Sequence, residues 1–157
     1  MYLGLAVLAV SILVFGWLYL SMQPTSLVVK SDKTDYFKVD TVKVEILLNN
    51  PKNATEGKVV VKYSTDLLKI KEQTLTNGVT MREIEGSLIF DLSTDYFKSK
   101  NPVIGNFSFD SLDRGTAKIQ FLQAQTSLKE NENVITVNSY TDANIGIGVT
   151  GRDAIKQ

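Results

Sequence analysis

Hydrophobic positions along this 157-residue chain fall into two regimes that meet near Pro24. Residues 1–22 (MYLGLAVLAVSILVFGWLYLSM) carry no charged side chain, whereas apolar and polar residues alternate over most of the remaining chain. A helix of 22 residues rises roughly 33 Å, enough for a hydrocarbon core of about 30 Å. The spacing therefore predicts a membrane-crossing helix. Trp17 and Tyr19 suit the lipid–water interface at its C-terminal end, and Pro24 stops it. Cleavage as a secretory signal is not expected. The apolar run begins without a basic region, and bulky Trp17, Leu18, Tyr19 and Leu20 stand where small residues would precede a cut. Gly4, Ala6, Ala9, Ser11 and Gly16 are spread around the helix without a G-x-x-x-G pair, so they mark no definite packing seam.

From Thr25 the period becomes two. Leu27 and Val29 share a face, as do Val42, Val44, Ile46 and Leu48, and then Val59, Val61 and Tyr63. Asn49 to Asn53 reads as a turn, and Asp66 to Lys71 as a half-turn leading into a strand. Asn77-Gly78 and Glu85-Gly86 bracket a strand over Val79 to Ile84, followed by another over Ser87 to Leu92. Ser93 to Pro102 reads as a loop crossing one end of the domain. Val103 to Leu112 and Thr116 to Leu122 predict a hairpin about Asp113-Arg114-Gly115, with Phe107, Phe109, Ile119 and Phe121 inward. A turn at Lys129 to Asn133, a strand over Val134 to Asn138 and a last apolar run from Asn144 to Val149 complete the chain. About nine short strands and no amphipathic helix after residue 24 indicate an all-β antiparallel sandwich. The expected organisation is a hydrophobic helix over 1–22, a linker over 23–26 and one sandwich domain over 27–157.

Composition narrows the chemistry. All 17 basic and 17 acidic residues come after residue 22, so the sandwich is formally neutral and no nucleic-acid partner is expected. The absence of Cys and His removes disulfides, thiolate metal sites, lipoprotein acylation and the commonest general base. Ser108 lacks the glycines of a nucleophile elbow, and Glu83 and Glu85 are expected to keep company with Arg82 and solvent. No enzyme activity and no cofactor are expected. Asp110, Asp113, Asp142 and Asn144 could offer oxygens to calcium, but their spacing fits turn chemistry rather than an EF-hand loop. Asn53-Ala54-Thr55 and Asn106-Phe107-Ser108 match the glycan acceptor pattern at near-chance frequency, and Asn106 falls in an expected strand.

The best ligand hint is a tetrapeptide that occurs twice. Asp-Tyr-Phe-Lys stands at Asp35 to Lys38 and at Asp95 to Lys98, giving the aromatic pairs Tyr36–Phe37 and Tyr96–Phe97. Exposed pairs of this kind stack on sugar rings. The alternative is that one ring of each pair plugs an end of the sandwich.

The order of signals from Leu27 resembles the cohesin-like β-sandwich domains, relatives of the carbohydrate-binding modules with a jelly-roll arrangement. Lys38-Val39-Asp40-Thr41-Val42 corresponds to that family's V-G-D-x-hydrophobic step, Leu48-Asn49-Asn50 to a strand ending in Asn, and Tyr63 to Ile70 to its Y-D-P-x-L-L-x-V segment. Phe107 to Ile119 is similar to its penultimate hairpin, and Thr141-Asp142-Ala143-Asn144-Ile145 to a T-D-S-N-V close. Ser64-Thr65 replaces Asp-Pro, so the turn after Tyr63 must be built differently. No strand is expected after Gly151, which would leave a sheet edge for a neighbouring subunit to fill.

The resemblance implies a non-enzymatic interaction or adhesion module, anchored by the helix with its β-domain outside the cell. Its partners would be a surface protein or glycan, membrane lipid, and other copies in a homo-oligomer. Lys30, Lys33 and Lys38 on the C-terminal flank read literally as a cytoplasmic domain, but they interleave with Asp32 and Asp35 in expected folded structure, and a basic leader removed before Met1 would reverse the comparison. A pilin-like subunit of an extracellular filament, with the helices packed in the fibre core, is the second reading. Leu5 departs from the glutamate usual in bacterial pilins. A carbohydrate-binding module is the third.

Overall fold

A computed structural model describes residues 23–148. The helix expected over 1–22, with Gly4, Ala9, Ser11, Gly16, Trp17 and Tyr19, lies outside the described residues, as does everything after residue 148. Among the described residues no helix is long and apolar enough to cross a membrane.

Alternation produces a sandwich of two sheets. One has the order β12 (Ser139–Thr141), β1 (Ser26–Ser31), β3 (Thr41–Asn49), β8 (Val103–Ser111), β5 (Leu68–Leu75). The other runs β11 (Asn133–Ile135), β10 (Ser127–Glu130), β4 (Glu56–Tyr63), β9 (Gly115–Phe121), β13 (Ala143–Ile147), β2 (Asp35–Tyr36). β7 (Ser87–Leu92) joins β4 along its other side, and β6 (Val79–Ile84) joins β7. Pairing is antiparallel except for β1 with β12 and β13 with β2. Leu27, Val44, Ile46 and Phe107 from the first sheet meet Val61, Leu88, Phe90 and Ile145 from the second in one core. Two aromatic pairs join the layers: Tyr63 lies 5.3 Å from Phe109, and Phe90 meets Phe107 edge-on at 5.7 Å.

Local chemistry explains the joints. Glu85 (φ 49°) and Gly86 (φ 73°) both adopt the left-handed backbone that a two-residue hairpin turn requires, so β6 and β7 pair as expected. The turn after Tyr63 closes on Ser64, whose carbonyl accepts Leu67 N–H (3.2 Å) and Leu68 N–H (2.9 Å). This replaces the missing Asp-Pro step.

Three expectations change. Val103–Leu112 and Thr116–Leu122 form strands but no hairpin: β8 pairs with β3 and β5, whereas β9 pairs with β4 and β13 in the opposite sheet. A strand–turn–strand pattern does not distinguish a turn spanning about 4.8 Å within a sheet from one spanning about 10 Å between sheets. Phe107, Phe109, Ile119 and Phe121 are all buried, as they would be in either case. The Ser93–Pro102 loop contains a helix, α1 (Thr94–Ser99), whose six residues are too few for a 3.6-residue period to register. The expected strand over Val134–Asn138 is shorter, as β11, and pairs with β10. The edge expected from the lack of a strand after Gly151 falls outside the described residues; the last described strand, β13, lies between β9 and β2. Among the described strands the edges are β12 and β5 in the first sheet and β11, β2 and β6 in the second; on the longer β5 and β6, charged Lys69, Lys71, Glu72, Arg82 and Glu83 discourage unspecific pairing.

Candidate functional site

The two Asp-Tyr-Phe-Lys segments lie at opposite ends of the sandwich. Tyr36 sits beside Ser31 at the far end of β1, whereas Tyr96 and Phe97 sit with Asn49, which pairs with Ser26 at the near end. The structure does not bring the four aromatics into one site. Both tyrosines are core residues, 4% and 2% exposed. The Tyr36 hydroxyl donates to the Asp32 carboxylate, lies 2.7 Å from Ser31 Oγ and accepts the Lys33 N–H (3.2 Å). Burial, then Asp32, raises its pKa. The Tyr96 hydroxyl donates to Pro102 O (3.2 Å), and its ring meets Phe97 edge-on at 5.2 Å. Burial raises its pKa further. Phe37 and Phe97 are half-buried.

Neither the calcium candidates nor the carboxylate pair assembles. Asp110 pairs with Lys71 (3.2 Å), Asp113 accepts the Arg114 N–H (2.8 Å) at one end of β9, and Asp142 accepts the Phe121 N–H (2.9 Å) at the other. The Arg114 N–H and then Lys38, 3.5 Å away, lower the Asp113 pKa. Glu83 accepts the Tyr63 hydroxyl, Glu85 occupies the hairpin turn, and Arg82 turns to Asp91 (3.3 Å) rather than to either. Among the described residues no cluster of acidic side chains could hold a metal ion. Asn106 lies within β8, and Asn53 is exposed in the turn before β4.

The outer faces of the two sheets differ more than the ends do. On the five-stranded sheet, cross-strand register places Lys30 beside Glu45 and Asn106, and Lys43 beside Ser108 and Glu72. Charges of both signs are interleaved across that face, and Lys71 pairs with Asp110 there. On the other sheet the outward rows are Ile84–Ser87–Lys62–Gln120, Arg82–Ile89–Val60, and Thr80–Asp91–Lys58–Ser127. The next row is Glu56–Lys129–Val134. Ile84 is 52% and Val134 72% exposed, at the two ends of a face that spans about 20 Å along β4. The other large exposed apolar side chains among the described residues, Val39 and Leu112, belong to loops at the Tyr36 end.

Val60 shows how this face is built. Chain continuity from β9 to β10 along β4 is broken by an excursion over residues 122–126, opposite Val60. Leu122 donates to Val60 O (2.8 Å), and Thr126 Oγ1 accepts the Val60 N–H (3.2 Å). The valine is thereby fully buried although it points away from the core. The same face carries Lys58, Lys62, Arg82, Lys118 and Lys129 against only Glu56 and Asp91. Both carboxylates are already paired, Glu56 with Lys129 (3.7 Å) and Asp91 with Arg82 (3.3 Å). Lys58, Lys62 and Lys118 form no ion pair among the described residues. Sequence inspection missed this patch because its members are scattered over six strands. The one local signal was Val59-Val60-Val61, where an apolar run interrupts the alternation.

By sequence, no protein-family model and no curated protein matches the chain. Solved structures do. The cohesin of the Coh-OlpA-Doc918 cohesin–dockerin complex from Clostridium thermocellum superposes with a TM-score of 0.63 at 12% identity, over 80% of this chain and 99% of that one. A type II cohesin from the cellulosome of Acetivibrio cellulolyticus gives 0.60 at 19% identity, over 81% and 96%. A non-cellulosomal cohesin from the hyperthermophilic archaeon Archaeoglobus fulgidus gives 0.63 at 9% identity, over 85% and 96%. The sandwich is thus cohesin-like in fold.

Proposed function

We propose that this chain is a non-enzymatic protein-binding module that docks its partner on the outer face of the β6–β7–β4–β9 sheet and is held at the cell surface by residues 1–22. The observation that carries the docking face is its make-up. Exposed Ile84, half-buried Ile89 and exposed Val134 are set among Lys58, Lys62 and Lys118, which have no carboxylate partner among the described residues. Such a surface fits a partner with acidic side chains around an apolar centre. The shared fold supports the reading, since similar sandwiches have been solved in complex with dockerins. The anchor is supported by an uncharged stretch long enough to span a bilayer.

Affinity capture from detergent-solubilised native membranes and surface extract, run with wild type, Ile84→Glu and Asn106→Lys in parallel, tests the docking face. A partner retained by wild type and Asn106→Lys and lost by Ile84→Glu is expected. Equal recovery by Ile84→Glu would refute the face.

The same uncharged stretch suits a fibre core, which makes a filament subunit the second reading. Negative-stain microscopy of sheared surface material separates the two: fibres containing this chain favour the filament, and recovery only from solubilised membrane favours the anchor.

A further inference from the structure

The end of the sandwich where the chain arrives from residues 1–22 carries an open groove of about 820 Å³. Pro24 stands in one wall, the Asn49–Lys52 turn in a second and the segment after α1 in a third. Its polar lining combines side-chain amides, including Asn49, Asn50 and Asn101, the Ser26 and Tyr96 side chains and two ammonium groups, Lys52 and Lys100, with no carboxylate among the described residues. Neither lysine forms an ion pair among the described residues.

Backbone conformation singles out the same place. Asn50 (φ 48°), Lys52 (φ 54°) and Lys100 (φ 54°) are three of the five non-glycine residues with left-handed φ among the described residues. Lysine adopts that conformation against a steric cost that glycine would avoid, and such residues concentrate at functional sites. Both lysines that bear this cost here line the groove.

The position of the groove identifies its occupant. Thr25 is fully buried, donates its N–H to Asn138 Oδ1 (3.1 Å) and its hydroxyl to Asn50 O (2.7 Å), so the chain is fixed to the sandwich at that point. Only Gln23 and Pro24 separate it from the uncharged stretch, and the three steps from residue 22 to Thr25 reach at most about 11 Å. With residues 1–22 in a bilayer, the groove stands at the headgroup layer.

We propose that this groove takes the phosphate of an anionic phospholipid headgroup between Lys52 and Lys100. Asn49 and Asn50 each give one amide hydrogen, to Ser26 Oγ (3.3 Å) and Gln23 Oε1 (3.0 Å) respectively, and their second hydrogens and the Asn101 amide donate to its glycerol and ester oxygens. The inference rests on the membrane-anchor reading above. Free glycerol phosphate shares the chemistry, but the adjacent uncharged stretch selects the lipid.

The test places the full chain in nanodiscs of phosphatidylcholine alone and of phosphatidylcholine mixed with phosphatidylglycerol. Backbone hydrogen exchange is then followed by mass spectrometry over residues 49–52 and 97–103. Two lysines at an anionic leaflet should slow exchange there by about tenfold in the mixed discs. Lys52→Glu/Lys100→Glu should abolish the difference at an unchanged melting temperature, and Lys58→Glu/Lys62→Glu on the sheet face should leave it intact. Equal exchange in the two lipids, with the chain in the discs, would overturn the proposal and spare the anchor. So would equal slowing in neutral discs supplied with soluble glycerol phosphate or an acidic oligosaccharide. Failure of the chain to enter either disc would overturn both.

Discussion

Asp-Tyr-Phe-Lys begins as a strand at Asp35–Tyr36 and is helical at 95–98, and the contrast between these two copies shows what the sandwich asks of its ends. In the first, Asp35 and Tyr36 form β2 by pairing with Gly146 and Ile147 of β13. In the second, the tetrapeptide forms most of α1, which ends where Lys100 turns left-handed. Identical local propensity therefore decides neither outcome; the neighbouring strand or turn does. What persists is the tyrosine. Each copy sends its ring into an open end of the core and leaves its hydroxyl on a polar group at the rim. Tyr36 finds Asp32, Ser31 and the Lys33 N–H, whereas Tyr96 has Pro102 O. Tyr36 is thus the better bonded plug, and Tyr96 the more deeply buried one.

The comparison breaks most directly by truncation. Tyr96→Ala should destabilise the domain by about 4 kcal/mol and Tyr36→Ala by about 3 kcal/mol, both by loss of a buried aromatic ring. Urea denaturation measures the pair, and a larger effect at Tyr36 would reverse the assigned order. Next comes Gly78, at φ +80°, where an added Cβ would meet the Tyr96 backbone nitrogen and lie 2.8 Å from Ser93 Oγ. Gly78→Ala should cost about 2 kcal/mol. Hydrogen exchange should loosen at α1 and stay unchanged at β2, while equal loosening at both ends would deny their independence.

The smallest effect is the titration of the two hydroxyls. Both pKa values are raised in the folded state, that of Tyr96 more, chiefly by burial. Their contribution is intact below the unfolded value of about 10 and is lost above it, because the unfolded chain releases these protons first. Stability measured from pH 9 to pH 12 should therefore fall. Tyr96→Phe should flatten that slope more than Tyr36→Phe, and an unchanged slope in Tyr96→Phe would contradict its burial.

How much of this was legible in the sequence has the same physical basis. Alternation identified β3, β4, β6 and β7 closely, because the inward face of each is the more buried one, Val60 of β4 excepted. Glu85-Gly86 identified its own turn. The connection at Asp113-Arg114-Gly115 was legible as a turn but not as a crossing between sheets, since Phe107, Phe109, Ile119 and Phe121 point inward either way. Tyr36 and Tyr96 were singled out, yet their positions at opposite ends depend only on which strands pair. The docking face was the least legible feature. Ile84, Ile89 and Lys118 are brought together by the β6–β7–β4–β9 register and by nothing local.

Calorimetric titration of the captured partner, purified, reports directly on whether docking uses the β6–β7–β4–β9 face. A single exposed apolar anchor replaced by a carboxylate on a cationic face should cost about 2 kcal/mol of binding. Ile84→Glu should accordingly raise Kd by about thirtyfold, while Asn106→Lys on the opposite sheet leaves it unchanged. A partner that tolerates Ile84→Glu and is lost with Asn106→Lys would place docking on the five-stranded sheet and contradict the account.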